Sequence, residues 1–118
     1  WLGFQGEDMI VDIDLMEMNQ ISEIRMHFLK AVNSWIFLPE QILIESSLDG
    51  LHYTPLSFLE GDNEDQNYLV KSIPFVFNFE PIKTRYLRVK AQSLKTCPEW
   101  HRGFGQPSWI FIDEIIVN

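Results

Sequence analysis

The sequence predicts an all-β domain, and three observations lead to that class. Apolar and polar residues alternate with a period of two along most of the chain, and no window shows the three-to-four-residue spacing of an amphipathic helix. Turn residues divide the alternating runs at intervals typical of antiparallel sheets. Seven strands at this spacing, rich in aromatic residues, predict an antiparallel jelly-roll β-sandwich. The 118 residues suit one domain, residues 1–118, without repeats or internal boundaries.

The first four predicted strands carry apolar side chains at alternate positions. Met9–Leu15 and Ile21–Leu29 both alternate, and Gln41–Ser47 continues into an Asp-Gly pair, which favours a hairpin because glycine tolerates positive φ. His52–Phe58 contains Pro55, which cannot donate to a strand ladder. We therefore expect that strand at a sheet edge or beside a bulge.

The last three predicted strands are the most apolar. Phe75–Phe79 places three phenylalanine rings on one face, and Arg85–Ala91 alternates after a turn at Pro81. Trp109–Val117 is apolar on both faces except for an Asp-Glu pair, as in a central strand covered on both sides. Asp113 and Glu114 point to opposite faces of such a strand, so they cannot act together on one substrate.

The connections between these strands fall into two groups. If consecutive strands reverse direction, the short connections emerge at one end and the long ones at the other. The short ones are Met16–Gln20, Leu48–Leu51 and Glu80–Thr84, and the long ones are Trp1–Asp8, Lys30–Glu40, Leu59–Ser72 and Gln92–Ser108. Long loops on a rigid scaffold commonly carry binding residues.

The long connections carry most of the tryptophans, mixed with Arg, His, Asn and Gln. A flat ring stacks on the apolar face of a pyranose while polar groups bind its hydroxyls. The same residues also suit a protein interface. A loop tryptophan can equally fold back and cap the sandwich, so for Trp35 and Trp100 both packing and ligand contact remain open. Trp109 is expected in the core.

Charge and composition exclude several classes. The formal charge of −8 argues against nucleic acid and disfavours anionic membranes. No run reaches the length of a membrane helix, and no signal peptide is evident. The single Cys97 excludes an internal disulfide, and the histidines lack metal-ligand spacing. We expect the acidic segment Glu60–Asp65 to be mobile and hydrated. Because the chain starts at Trp1, it reads as part of a longer protein.

Several motifs resemble the discoidin family, also called coagulation-factor type C or galactose-binding-like domains. They are Asp14-Leu15, Ser47-Leu48-Asp49-Gly50 and the segment Thr84–Val89. The segments Cys97–His101, Trp109–Ile115 and Ser34–Pro39 are similar to accessory domains of bacterial family-20 β-hexosaminidases, the putative chitobiases. The resemblance implies a galactose-binding-like sandwich in a secreted, periplasmic or cell-surface protein.

The chain departs from this family in two places. Such domains usually begin upstream with an extra strand and a loop that often holds structural calcium, so the usual first strand is expected to be missing here. A last-strand glutamate ligates that calcium in relatives, and Glu114 matches it. The resemblance therefore allows a metal only with the upstream loop, and we expect no other cofactor. Met16 stands where the family usually has glycine.

The leading hypothesis is a non-catalytic, carbohydrate-binding accessory module of a β-N-acetylhexosaminidase-like glycoside hydrolase. Trp35 and Trp100 would stack on a glycan, and His101 and Arg102 would donate to its hydroxyls. Its partners would be a glycan and the catalytic domain of its own chain. The alternative is a structural module that packs on that catalytic domain without a ligand. Phospholipid binding, as in some relatives, fits poorly with the acidic charge.

Overall fold

Seven antiparallel strands and one 3₁₀ turn make up the computed structural model, which describes residues 1–118. The predicted all-β class is confirmed. No helix is long and apolar enough to span a membrane. The strands are β1 (Leu2–Gln5), β2 (Met9–Lys30), β3 (Gln41–Ser47), β4 (Thr54–Glu60), β5 (Lys71–Gln92), β6 (Trp109–Ile112) and β7 (Ile116–Val117), with the 3₁₀ turn at Val32–Ser34.

Two strands of 22 residues, β2 and β5, form the centre of the sheet. They pair antiparallel from Met9 opposite Ala91 to Lys30 opposite Lys71. The register shifts twice near the middle of this ribbon, where β2 bulges between Asp14 and Asn19 and again between Ile21 and Glu23. Bulges bend strands and increase their twist. The bent ribbon therefore contributes one half to each layer of the sandwich.

The strand order is β1-β6-β2-β5-β3-β4, with β7 on β2. In one layer β3 and β4 extend the first half of β2 and the last half of β5. In the other, β6, β1 and β7 pair with the last half of β2 or with one another. Side chains from the inner faces of both layers share one core, which includes Met9, Phe28, Ile44, Phe77 and Val89. Burial of these alternating apolar faces is the main stabilising contribution.

Two predicted turns were wrong. Met16–Gln20 and Glu80–Thr84 lie opposite each other inside the ribbon, and Asn19 pairs with Thr84. Both segments interrupt the alternation of apolar residues, as a turn does, but the strands continue through them. The long loops still lie at one end of the sandwich. The bend in the ribbon reverses the direction of β2 and of β5, as the predicted turns would have done.

The remaining differences concern the ends of the chain. Leu2–Gln5, predicted as part of a long connection, is an edge strand on β6. The predicted Trp109–Val117 strand divides into β6 and β7, and between them the side chain of Asp113 accepts a hydrogen bond from the backbone N–H of His27. Trp109 lies half-buried on the outer face against Phe111, not in the core. The edge position predicted for Pro55 is confirmed, with a register shift beside it.

Candidate functional site

The long connections meet at one end of the sandwich, which we call the loop pole. It consists of Trp1–Asp8, Lys30–Glu40, Leu59–Ser72 and Gln92–Ser108. Backbone N–H of Gly6 donates to the carbonyl of Ser108, and the side chain of Arg102 donates to the carbonyl of Asn33. The predicted clustering of these loops is therefore confirmed.

A small hydrophobic core of its own supports the loop pole. Val32, Phe37 and Cys97 are fully buried there, separate from the main core, and three half-buried residues pack on them, namely Trp35, Leu94 and Trp100. Burial raises the pKa of the Cys97 thiol, which keeps it protonated. Because these loops pack on a buried hydrophobic cluster of their own, their conformations are fixed relative to one another. Cys97 is a structural member of that cluster.

His101 is buried, with 3% of its surface exposed, and both ring nitrogens are engaged by the backbone. Its Nδ1 accepts from the N–H of Gly103 at 2.9 Å, so Nε2 carries the proton and donates to the carbonyl of Val32 at 2.7 Å. The predicted role of His101 as a donor to sugar hydroxyls is therefore wrong. It is the centre of an aromatic cluster formed by Trp35, Phe37, Trp100 and His101.

Trp35 follows the 3₁₀ turn in the left-handed conformation, with φ of 63°. This geometry lays its indole against the backbone of Gly103, where an added Cβ would lie 2.9 Å from Trp35 Cε2. Glycine at position 103 is thus required for the indole to pack there. Trp100 makes edge contacts with Phe37 and His101. Both indoles are half-buried, so each packs on the cluster and also reaches the surface.

Phe104 presents a more accessible ring than either tryptophan. It is 63% exposed, and Arg102, two residues earlier, is also exposed. Sequence reasoning placed Phe104 in a long loop but did not select it. The available signal was its position between two glycines, because small neighbours cannot cover the ring.

Charge pairing leaves few cations free in this acidic chain. Of nine Lys and Arg side chains, seven lie within 4.0 Å of a carboxylate, namely Arg25, Lys30, Lys71, Arg85, Arg88, Lys90 and Lys95. Arg102 and Lys83 are the two without one. Arg102 uses only one nitrogen, toward Asn33, so the rest of its planar fork can donate to a ligand.

The acidic connection is anchored rather than mobile, contrary to expectation. The amide of Asn63 both donates to and accepts from the backbone of Leu38, at 2.7 and 3.0 Å. The buried ammonium of Lys30 donates to the carbonyl of Asp65 at 2.6 Å. The N–H of Asn67, together with Lys30 and Lys71, lowers the pKa of Asp65. The side chain of Asp65 is therefore held by cations of the chain.

The residues present do not form a metal centre. Glu114 is exposed between β6 and β7, while the adjacent Asp113 bonds to His27. No group of three or more His, Cys, Asp or Glu side chains is arranged to hold an ion. Calcium ligation by Glu114, which the resemblance allows only together with an upstream loop, stays a prediction.

The loop pole is an open surface. Three surface cavities are present, and none is lined by Trp35, Trp100, Arg102 or Phe104. A shallow aromatic surface with adjacent donors suits one face or one end of a ligand rather than its full enclosure.

No family model and no curated protein sequence matches the chain. Solved structures do. CpGH89CBM32-5 from Clostridium perfringens, in complex with GalNAc-β-1,3-galactose, superposes with a TM-score of 0.54 and 17% identity, over 92% of this chain and 63% of that one. A pectin-binding carbohydrate-binding module superposes with a TM-score of 0.55 and 18% identity, over 98% of this chain and 70% of that one.

CBM32-1 from a family 31 glycoside hydrolase of Clostridium perfringens gives a TM-score of 0.55 and 20% identity, over 98% of this chain and 75% of that one. The chain thus spans about two-thirds to three-quarters of the length of these modules. At such low identity the likeness concerns architecture. The chain has the galactose-binding-like, or discoidin, β-sandwich fold of family-32 carbohydrate-binding modules.

Proposed function

We propose that this chain is a non-catalytic carbohydrate-binding module that binds glycan ends at the loop pole. The observation that carries the proposal is the juxtaposition there of aromatic surface with an arginine that has no carboxylate partner. Trp35 and Trp100 pack on the small buried cluster of the loop pole. Phe104 and Arg102 are exposed on the connection Gln92–Ser108. Aromatic rings would stack on the C–H face of a sugar, and the guanidinium would donate to its hydroxyls.

The solved structures with a similar fold support a glycan as the ligand rather than another ligand class. One of them holds a GalNAc-β-1,3-galactose disaccharide and another is described as pectin-binding. A phospholipid surface is disfavoured by the charge of −8 and by the scarcity of free cations at the loop pole. The motifs similar to hexosaminidase accessory domains favour a β-N-acetylhexosaminidase as the parent enzyme, in a secreted, periplasmic or cell-surface protein.

A single open surface of this kind supports weak binding. We expect dissociation constants between mM and µM, or about −4 to −8 kcal/mol. Tethering to a catalytic domain makes such affinity effective, because the linked enzyme is held at a high local concentration near the glycan.

The test is an amide and indole NMR titration with N-acetylglucosamine, galactose, GalNAc-β-1,3-galactose and chito-oligosaccharides. At least one sugar should shift the indole N–H signals of Trp35 and Trp100 and the amides near Arg102. Phe104→Ala should weaken that binding about tenfold or more. The matched control is Leu51→Ala, because Leu51 is 80% exposed but lies in the β3–β4 hairpin at the opposite end of the sandwich. If none of the sugars shifts the amide or indole signals of the loop pole, the proposal is contradicted.

The alternative, packing on the parent's catalytic domain, is favoured by the half-burial of both tryptophans. It predicts no sugar response at all. It also predicts that Phe104→Ala or Arg102→Gln in the two-domain protein lowers the melting temperature of the pair. The isolated Phe104→Ala chain would keep its own melting temperature, because Phe104 is exposed, whereas Arg102→Gln also removes the hydrogen bond to Asn33.

A further inference from the structure

The end of the sandwich opposite the loop pole contains the largest cavity, a groove of about 390 Å³. It lies between the β3–β4 hairpin and the bend of β5. Its lining includes Ser46, Asp49, His52, Thr54, Ile82 and Lys83. Ligand pockets typically begin near this volume, at about 300 Å³. The groove can therefore hold one sugar-sized ring.

Lys83 is the only basic side chain of the chain that makes neither an ion pair nor a side-chain hydrogen bond. Arg102, which also lacks a carboxylate, at least donates to Asn33. In a chain with seventeen acidic and nine basic residues, an unengaged ammonium is unexpected. Its position in the groove gives the groove a free positive charge.

The one carboxylate of the groove is already satisfied by its own hairpin. Asp49 Oδ1 accepts from the Ser47 hydroxyl and from the N–H groups of Leu51 and His52, at 2.8 to 2.9 Å. Its Oδ2 lies 2.7 Å from His52 Nδ1. Asp49 is thus largely used as an acceptor within the turn.

The polar groups left free in the groove are an ammonium and two hydroxyls that can donate. The Lys83 ammonium is unengaged, and the hydroxyls of Ser46 and Thr54 make no hydrogen bond within the chain. The outer nitrogen of His52 is a donor only when the ring is protonated, because Nδ1 carries the proton that bonds to Asp49. Free donors around a cation favour a ligand with an anionic acceptor group. Ile82 adds apolar surface to the lining of the groove, and it also packs against the main core.

We propose that this groove binds a carboxylate-bearing sugar, of the hexuronate class, with its carboxylate on Lys83. A carboxylate is favoured over a phosphate because phosphate sites generally combine several Arg or Lys side chains or successive backbone N–H groups. The groove offers one lysine. This second site is separate from the loop pole and does not depend on the proposed function.

The experiment is an NMR titration of the 118-residue chain with D-glucuronate, D-glucose and acetate at matched ionic strength. Glucuronate should shift the amides of Leu48, His52 and Lys83 in a saturable way, while glucose and acetate should not. Equal shifts with acetate would mean that any anion binds, and equal shifts with glucose that the carboxylate is irrelevant. Either result, or no shift, overturns the proposal.

Lys83→Gln should weaken glucuronate binding about tenfold, the usual value of one charge-assisted hydrogen bond. Lys83→Arg should retain it. The matched control is Lys95→Gln, since Lys95 is exposed but lies at the loop pole. Unchanged binding in Lys83→Gln overturns the proposal. The Trp35 and Trp100 indole signals report on the loop pole in the same spectra, so failure at one site is distinguished from failure at the other.

Discussion

His101 donates from Nε2 to the carbonyl oxygen of Val32, 2.7 Å away and 69 residues distant in the sequence. This hydrogen bond joins two of the loops that form the candidate binding surface. Because Nδ1 accepts from the N–H of Gly103, the ring is fixed in one tautomer and one orientation. The aromatic cluster therefore packs around a histidine whose polar atoms are fully used.

Replacing this histidine should destabilise the chain. His101→Ala would leave the buried N–H of Gly103 without a partner and would remove one of the two hydrogen bonds to the carbonyl of Val32, which keeps the N–H of Trp35. It would also open a cavity among aromatic rings. We expect a loss of about 2 to 4 kcal/mol in the free energy of unfolding, measured by urea denaturation. His52→Ala is the control at pH 8.5, where the exposed pair of His52 and Asp49 contributes little, and it should leave stability nearly unchanged.

A different outcome would restore the direct role first predicted for His101. If His101→Ala unfolds at the same urea concentration as the unsubstituted chain and yet loses sugar binding, the ring acts on the ligand and not on the loops.

The contact between Gly103 and Trp35 gives a second prediction. In Gly103→Ala the new Cβ would lie 2.9 Å from Trp35 Cε2 and 3.1 Å from His101 Nδ1, so the indole must move. We expect about 1 to 3 kcal/mol of destabilisation and a shifted Trp35 indole N–H signal.

Gly105→Ala separates crowding from backbone strain. Gly105 has φ of 83° but nothing within 4 Å of an added Cβ. The variant should lose about 1 kcal/mol from strain alone and leave the Trp35 signal in place. An unmoved indole in Gly103→Ala would contradict the packing described.

The sequence predicted features that depend on neighbouring residues. Pro55 lies in an edge strand because it lacks an N–H, and the Asp49-Gly50 hairpin forms because Gly50 can adopt φ of 76°. The gathering of the long loops was predicted from strand reversal, and it holds although two of the assumed turns are bends within β2 and β5. These inferences need no knowledge of which distant residues meet.

Features that depend on distant contacts were predicted poorly. The continuity of β2 and β5 was missed because a bulge and a turn both interrupt alternation, and only pairing of Asn19 with Thr84 distinguishes them. The sequence predicts a surface donor at His101 because its acceptor, the carbonyl of Val32, is 69 residues away in the chain. Likewise, Glu60–Asp65 looked mobile because its anchors, Lys30 and Leu38, belong to another loop.

Met16 provides a third prediction, because it adopts φ of 74° in the bulge of β2. A side chain in this left-handed region costs about 1 kcal/mol relative to glycine. Met16 is 76% exposed, so Met16→Gly loses little packing and should stabilise the chain by about 0.5 to 1 kcal/mol. Thermal denaturation measures the change.

Met18→Gly is the matched control for this effect. Met18 lies in the same bulge but without positive φ, so glycine there should destabilise the chain. Destabilisation by both substitutions would show that the conformation of Met16 carries no strain.

The hairpin pair of Asp49 and His52 predicts a pH dependence with a defined sign. The backbone N–H of His52, followed by its ring and the N–H of Leu51, holds the pKa of Asp49 far below its ordinary 3.8. The hydrogen bond with Asp49 raises the pKa of His52 above its ordinary 6.5. The lowered pKa of Asp49 contributes stability above about pH 4 that is lost as pH falls through the folded-state value. The raised pKa of His52 contributes stability that is complete below pH 6.5 and is lost as pH rises through its folded-state value.

Both contributions are therefore present together between about pH 4 and pH 6.5. The difference in melting temperature between the unsubstituted chain and His52→Ala should be largest in that window and shrink toward pH 8.5. Taking a difference removes the titration of the other carboxylates and histidines, which both proteins share. Because both side chains are exposed to solvent, the difference should also decrease as NaCl is raised. A difference that stays constant from pH 5 to pH 9 would mean that His52 does not bond to Asp49 in solution. The carboxylate of Asp49 would then be free to repel an anionic ligand in the groove, which would weaken the case for a carboxylate-bearing sugar there.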